Sequence, residues 1–270
     1  MASASAPSAE DCKKISINHA SEQSDEVPRV TMVKSLLTEK NVVIVGEGNF
    51  TFTVALAAIR NSWSGIISTR YESVDECPEP KFDTVKQKCI DFCHENQRNF
   101  MEEGIVYDHT NYIKAIEMVQ QPPLGEWLFG IDATATPNNL VIRGKVVIFQ
   151  CPWIPQGKPK TPATLIASFL SHMSTKQNEG DYVLIGITTY YPYVKNYELE
   201  DLLGKGLSRR KDSSGMYDFL GADDTFIVEI LKHGYHHTSC HAKTDIHKDI
   251  ITSHIILVFQ RNDATPSTST

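Results

Sequence analysis

A chain of 270 residues with 41% hydrophobic and 22% charged side chains carries enough apolar surface for one large domain with tails, and needs no disulfide or metal staple to fold. Its formal net charge of −7 excludes a globally basic surface; the densest basic run, Arg209-Arg210-Lys211 with Lys205 upstream, is followed at once by Asp212, so its local field is modest. No stretch approaches the roughly 18 to 20 apolar residues of a spanning helix. The six cysteines (Cys12, Cys77, Cys89, Cys93, Cys151, Cys240) show no compact disulfide spacing, so a reducing compartment, cytoplasm or nucleus, and a monomer are expected.

Residues 1–34 are rich in Ala, Ser, Glu and Pro with little apolar periodicity, which predicts a disordered tail. The Ser-, Thr- and Pro-rich residues 263–270 read the same way, leaving one domain over residues 35–262. Within it, short apolar runs alternate with helical patterns, the signature of βα units building a mostly parallel sheet. Strands are predicted at Val42–Val45, Ile66–Tyr71, Trp127–Ile131, Lys145–Phe149, Tyr182–Thr188, Tyr235–Cys240 and Ser253–Phe259, and helices at Thr51–Arg60, Phe82–Glu103, Thr110–Val119, Thr161–Met173 and Asp223–His233. The last two strands are separated by about a dozen residues with no helical pattern, so they are expected to form an antiparallel edge hairpin. The fold class is then α/β and Rossmann-like, a seven-stranded sheet with one antiparallel edge.

The segment Val42-Val-Ile-Val-Gly-Glu-Gly-Asn-Phe50 is a buried strand running into two glycines one residue apart, with a helix opening at Thr51. Gly46 and Gly48 let the backbone approach a ligand closely, and the following helix start is expected to offer unpaired N–H groups. The third glycine of the dinucleotide fingerprint is absent, Thr51 and Phe52 standing there, which disfavours a pyrophosphate. A turn with acidic Glu47 suits instead a cationic amino-acid ligand without phosphates, such as S-adenosylmethionine; Asn49 and Phe50 complete the turn. Glu72, just past the second strand, stands where α/β folds place the acid that binds ribose hydroxyls. Asp132 and Ala133 end the third strand, where they would border the adenine. The fourth strand runs into Gln150-Cys151-Pro152-Trp153, an amide, a rigid Pro and an aromatic at the carboxyl end. Gln150, Pro152 and Trp153 are the candidates for holding a target N–H and stacking its ring, at about 1 to 3 kcal/mol per stacked base.

These segments resemble a known family. Val45-Gly-Glu-Gly-Asn-Phe-Thr-Phe-Thr53 is similar to the G-E-G-D-F-S-F-S opening of the ribosomal-RNA uridine-N3 methyltransferase-like domain. Gly130-Ile-Asp-Ala-Thr134 is similar to its G-V-D-A-T. Gln150-Cys-Pro-Trp153 aligns with its third motif, N-F-P-H, with Gln150 for Asn and Trp153 for His. The resemblance implies a class I methyltransferase fold, S-adenosylmethionine as methyl donor, ribosomal RNA as partner, methylation of a uridine ring nitrogen in large-subunit RNA, and a nucleolar location. The alternatives are a non-catalytic methyltransferase-like interaction module, or a methyltransferase for a small molecule or protein.

Other constellations point to less. His233, His236, His237, Cys240, His241 and His247 supply ligand types for zinc, but on a strand His237 and His241 face away from His236 and Cys240, so no metal is expected. Cys89 and Cys93 on a helical pattern read as small half-buried apolar side chains. No G-x-S-x-G elbow occurs, and Cys151 has no predicted His partner.

Overall fold

The structure is a computed structural model that describes residues 14–17, 25–123, 125–152, 161–188, 215–237 and 254–263. The elements, in chain order, are β1 (Lys14–Ile17), β2 (Asp25–Pro28), α1 (Val33–Glu39), β3 (Val42–Val45), α2 (Thr51–Arg60), β4 (Ile66–Thr69), α3 (Phe82–Glu102), α4 (His109–Glu117), β5 (Trp127–Leu128), β6 (Val146–Gln150), α5 (Pro162–Ser174), β7 (Tyr182–Thr188), β8 (Tyr217–Asp223), α6 (Phe226–Lys232) and β9 (His254–Arg261). None of the described helices is long and apolar enough to cross a membrane.

Seven strands form one sheet in the order β5-β4-β3-β6-β7-β9-β8. The first five pair in parallel, whereas β9 runs antiparallel between β7 and β8. Successive residues of a strand point to opposite faces, and the apolar runs divide accordingly. Val42, Ile44, Val146, Ile148 and Ile256 meet α1, α2, α3, α4 and α6 on one side. Val43, Val45, Val147, Phe149 and Leu257 meet Ile166, Phe169, Leu170 and Met173 of α5 on the other. Burial on both faces is why these strands read as continuous Val/Ile runs. From β3 the chain steps out to β4 and β5, then returns to β6 on the opposite flank, which opens a crevice outside the carboxyl ends of β3 and β6.

The expected edge hairpin is corrected. The antiparallel pair is present, but its outer strand is Tyr217–Asp223, and α6 lies between the two. Tyr235–His237 form no strand; Cys240 and the rest of that expected strand lie outside the described residues. The tail boundary at residue 35 also moves. Val27, Val30 and Val33 are buried, the Val30 amide donates to the Ala222 carbonyl (2.9 Å), and Arg29 bridges to Ala222 on β8 and pairs with Asp224 (2.7 Å). Composition missed this because three spaced valines are too few to show a period, yet enough to cover one strand edge.

Candidate functional site

The glycine turn is built by what it excludes. Gly46 has φ +72°, and a Cβ there would sit 2.5 Å from Cε2 of Phe149 on β6, so only glycine lets β3 turn beside β6. Glu47 follows, 4% exposed. Its amide donates to the Thr69 carbonyl (2.9 Å). Its carboxylate accepts the Thr53 amide (3.1 Å) and the Thr53 hydroxyl (2.5 Å), and that hydroxyl lies 2.7 Å from Ser68 Oγ. Burial raises its pKa to about 7, against the opposing hydrogen bonds from Thr53, the Phe52 amide and Ser68. The acid expected to face a cationic ligand is thus folded beneath α2.

Asn49 and Phe50 are likewise turned inward. The Asn49 Oδ1 accepts the Thr51 amide (3.1 Å) and hydroxyl (2.8 Å), while its Nδ2 donates to the His236 carbonyl (2.9 Å). Phe50 holds a left-handed backbone (φ 60°, ψ 10°), a strain of about 1 to 3 kcal/mol for a non-glycine residue. Its buried ring stacks on Trp127 (4.4 Å between centroids, 11°) and meets Phe129 edge-on (5.6 Å). Together these contacts occupy the helix start. Thr51 N–H goes to Asn49, Phe52 and Thr53 N–H to Glu47, and Val54 N–H to the Phe50 carbonyl. The expected unpaired donors are therefore satisfied internally, and the residues of the turn that are only half-buried are Gly46 and Gly48.

On the neighbouring flank two loops are zipped together. Arg70 N–H donates to the Leu128 carbonyl (2.8 Å), Ile131 N–H to the Arg70 carbonyl (2.9 Å) and Gly130 N–H to the Glu72 carbonyl (3.2 Å). This ladder brings Glu72 and Asp132 to the same edge. Glu72 is half-buried, and its carboxylate makes no hydrogen bond to the described residues, which leaves it available to a ligand. Asp132 closes a local turn through Thr134 N–H and Oγ1 (2.7 Å each), and Ala133 is buried beside it. Sequence reasoning passed over Arg70. It is 2% exposed, its guanidinium lies over Phe129 (4.8 Å) and Phe50 (5.8 Å), and it donates to the Cys77 carbonyl (2.5 Å). An arginine directly after a strand, between aromatic-rich segments, was the available signal.

At the end of β6, Gln150 is 3% exposed and its Nε2 lies 2.5 Å from His254 Nε2 on β9. Gly186 on β7 makes room for this amide, since a Cβ there would sit 2.0 Å from Gln150 Oε1. Gln150, expected to contact the target directly, has its side chain buried against His254 in this structure. Cys151 continues the ladder, donating to the Gly186 carbonyl (2.9 Å), with a left-handed φ of 49°. Pro152 is buried, and Trp153 lies outside the described residues.

Beside Gln150 stands a group of Tyr235, His237, His254 and Cys151, of which sequence reasoning weighed only His237 as a possible zinc ligand. The Tyr235 hydroxyl shares a hydrogen bond with His237 Nδ1 (3.0 Å) and borders Gln150 and Cys151. Burial, with His236 nearby, lowers His237 to about 4; burial, with His237 nearby, lowers His254 to about 3. Burial raises Cys151 to about 12 and Tyr235 well above the ordinary phenol value. All four are uncharged at neutral pH. Because His236 and His237 sit in no strand, the argument from alternating faces no longer bears on a metal. Cys240, His241 and His247 lie outside the described residues.

The strand order, the glycine turn after β3 and the antiparallel β9 define the class I methyltransferase fold. The family described as rRNA (uridine-N3-)-methyltransferase BTM5-like matches residues 43–214. The chain belongs to that family. No curated protein matches it. Among solved structures it is similar to a variant of the 16S rRNA (adenine(1408)-N(1))-methyltransferase from Catenulisporales acidiphilia, with 15% identity, 86% of this chain and 92% of that chain covered, and a TM-score of 0.42. It is also similar to an rRNA methylase from Streptococcus thermophilus, with 10% identity, 85% and 91% covered, and a TM-score of 0.35.

Proposed function

We propose that the protein is an S-adenosylmethionine-dependent methyltransferase that modifies N3 of a uridine in large-subunit ribosomal RNA. The observation that carries the reading is that the family match, residues 43–214, spans the glycine turn, Glu72, Asp132 and the end of β6, which the strand order gathers along one crevice. In this reading Glu72, whose carboxylate makes no hydrogen bond to the described residues, takes the ribose hydroxyls, Asp132 and Ala133 border the adenine side, and the half-buried Gly46 and Gly48 let the ligand approach, while the helix donors that would cradle phosphates are occupied. When bound, the cofactor supplies an electrophilic methyl group. The protein's share is alignment and exclusion of water. Its neutral groups at the β6 end hold no charge that would compete with an uncharged pyrimidine for the crevice. None of them is a strong base at neutral pH, so the imide proton is expected to leave to solvent.

Calorimetry with S-adenosylhomocysteine, followed by radiolabelled methyl transfer to total RNA from cells lacking the protein, tests this reading, with 3-methyluridine as the expected product. Absence of heat at millimolar ligand refutes the cofactor. Binding without labelling of RNA favours the interaction module, a reading to which the inward-turned Gln150 amide already lends weight.

A further inference from the structure

The stretch Tyr235–His237 is hydrogen-bonded to the start of α2 and lies beside the end of β6. It leaves α6 through Gly234, whose φ of +88° and closeness to Cys89, 2.4 Å from a Cβ to the carbonyl oxygen, force the chain to turn against α3. The His236 peptide is then gripped by the start of α2. Its carbonyl accepts Asn49 Nδ2 (2.9 Å) and lies 2.9 Å from Thr51 Oγ1, and its N–H donates to Thr51 Oγ1 (3.3 Å). The residues on either side face the other way, toward β6. Tyr235 packs edge-on against Phe52 (5.2 Å, 83°), and its hydroxyl meets His237 and borders Gln150 and Cys151. Gln150 in turn is locked to His254. Cys151, at the end of this chain of contacts, is the residue with the left-handed backbone that leads into Pro152.

We infer that Tyr235–His237 is a strut that sets the glycine turn and the carboxyl end of β6 at a fixed spacing, with Asn49 and Tyr235 as positioning residues for methyl transfer. The inference rests on the reading that the cofactor lies at Gly46–Gly48 and the target base beyond Cys151. Neither Asn49 nor Tyr235 needs to touch cofactor or RNA. A misplacement near 1 Å suffices to slow an aligned displacement by about 100-fold.

The test pairs a kinetic with a spectroscopic measurement. Tyr235→Phe keeps the ring against Phe52 and removes the hydroxyl. It is expected to lower kcat by about 10- to 100-fold while KM for RNA and the affinity for S-adenosylhomocysteine stay within about threefold. Asn49→Ala releases the other end. In wild type, S-adenosylhomocysteine should shift the imidazole NMR resonance of His237, assigned with His237→Gln; in Asn49→Ala the ligand should bind and leave that resonance in place. Unchanged kcat in Tyr235→Phe overturns the strut, as does a parallel fall of kcat, ligand affinity and melting temperature, which would mark a purely structural role. So does a wild-type His237 resonance that ignores bound ligand. A wild type that binds the ligand but methylates no RNA refutes the enzymatic reading alone, and the NMR comparison then decides. A wild type that binds no ligand overturns both.

Discussion

Glu47→Gln isolates the energetic consequence of burying an acid beneath a helix start. The carboxylate accepts the Thr53 amide and hydroxyl, contacts an amide oxygen can reproduce. Burial raises its pKa from an ordinary 4.5 to about 7, so between these values the folded protein keeps a proton that the unfolded chain releases. Stability from this group is therefore complete below pH 4.5 and is lost as pH rises through about 7. At about 1.4 kcal/mol per pH unit, the loss approaches about 3 kcal/mol in mildly alkaline solution. The glutamine cannot ionise and escapes it. Urea unfolding of both proteins at about pH 5.5 and pH 8.5 should show the variant's advantage growing by about 2 kcal/mol over that interval. An equal difference at both pH values would refute the argument, because it would mean the folded-state carboxyl titrates as it does in the unfolded chain.

Three further outcomes follow from the same contacts. Gly46→Ala places a Cβ 2.5 Å from the Phe149 ring at a φ of +72°, and should cost about 1 to 3 kcal/mol, read as a fall of several degrees in melting temperature with β6 rather than α2 losing amide-exchange protection. His237 and His254, lowered to about 4 and about 3, contribute stability that is present above the ordinary imidazole value of 6.5 and is lost as pH falls toward their own. Two such groups outweigh Glu47, which works in the opposite sense, so the urea midpoint should drop between about pH 6.5 and pH 5; a flat midpoint would contradict their burial as neutral rings. Deleting residues 1–30 uncovers the β8 edge that Val30 and Arg29 close, and light scattering should then detect concentration-dependent association through that edge.

Much of the sheet was legible because its strands are buried on both faces. Val42–Val45, an unbroken aliphatic run, and Tyr182–Thr188, an apolar run interrupted only at Gly186, were delimited to the residue by polar punctuation. The outer strand β8 was not. Gly221, with φ 141°, sits at a bulge against β9, and Asp223, a buried acid that accepts Thr225 and Phe226 amides, reads from sequence as the start of the next helix. The motifs at the site announced their location but not their direction. Glu47, Asn49 and Gln150 are polar residues in a ligand-binding neighbourhood, and only the packing reveals that each turns inward to satisfy a backbone or ring nitrogen. Glu72 stands just past β4 with its carbonyl held by the Gly130 amide, while its carboxylate makes no hydrogen bond to the described residues. The Tyr235–His237 strut was hidden by a plausible alternation of aromatic and imidazole side chains, which a strand and a tethered loop share.

The position of β9 has a consequence for assembly during synthesis. It is the last strand among the described residues yet lies inside the sheet, pairing through seven register positions with β7 and holding β8 on its other side. The parallel units from β3 to β6 can pair as they emerge, since each joins a neighbour already made. β7 and β8 cannot meet one another, and until residue 261 has left the ribosome each presents an open edge. His254 arrives with that same strand, so the Gln150 amide at the crevice gains its ring partner only in the final step. A nascent chain stalled before β9 would expose two sticky edges and an unfinished site together, giving quality control a single signal for both faults.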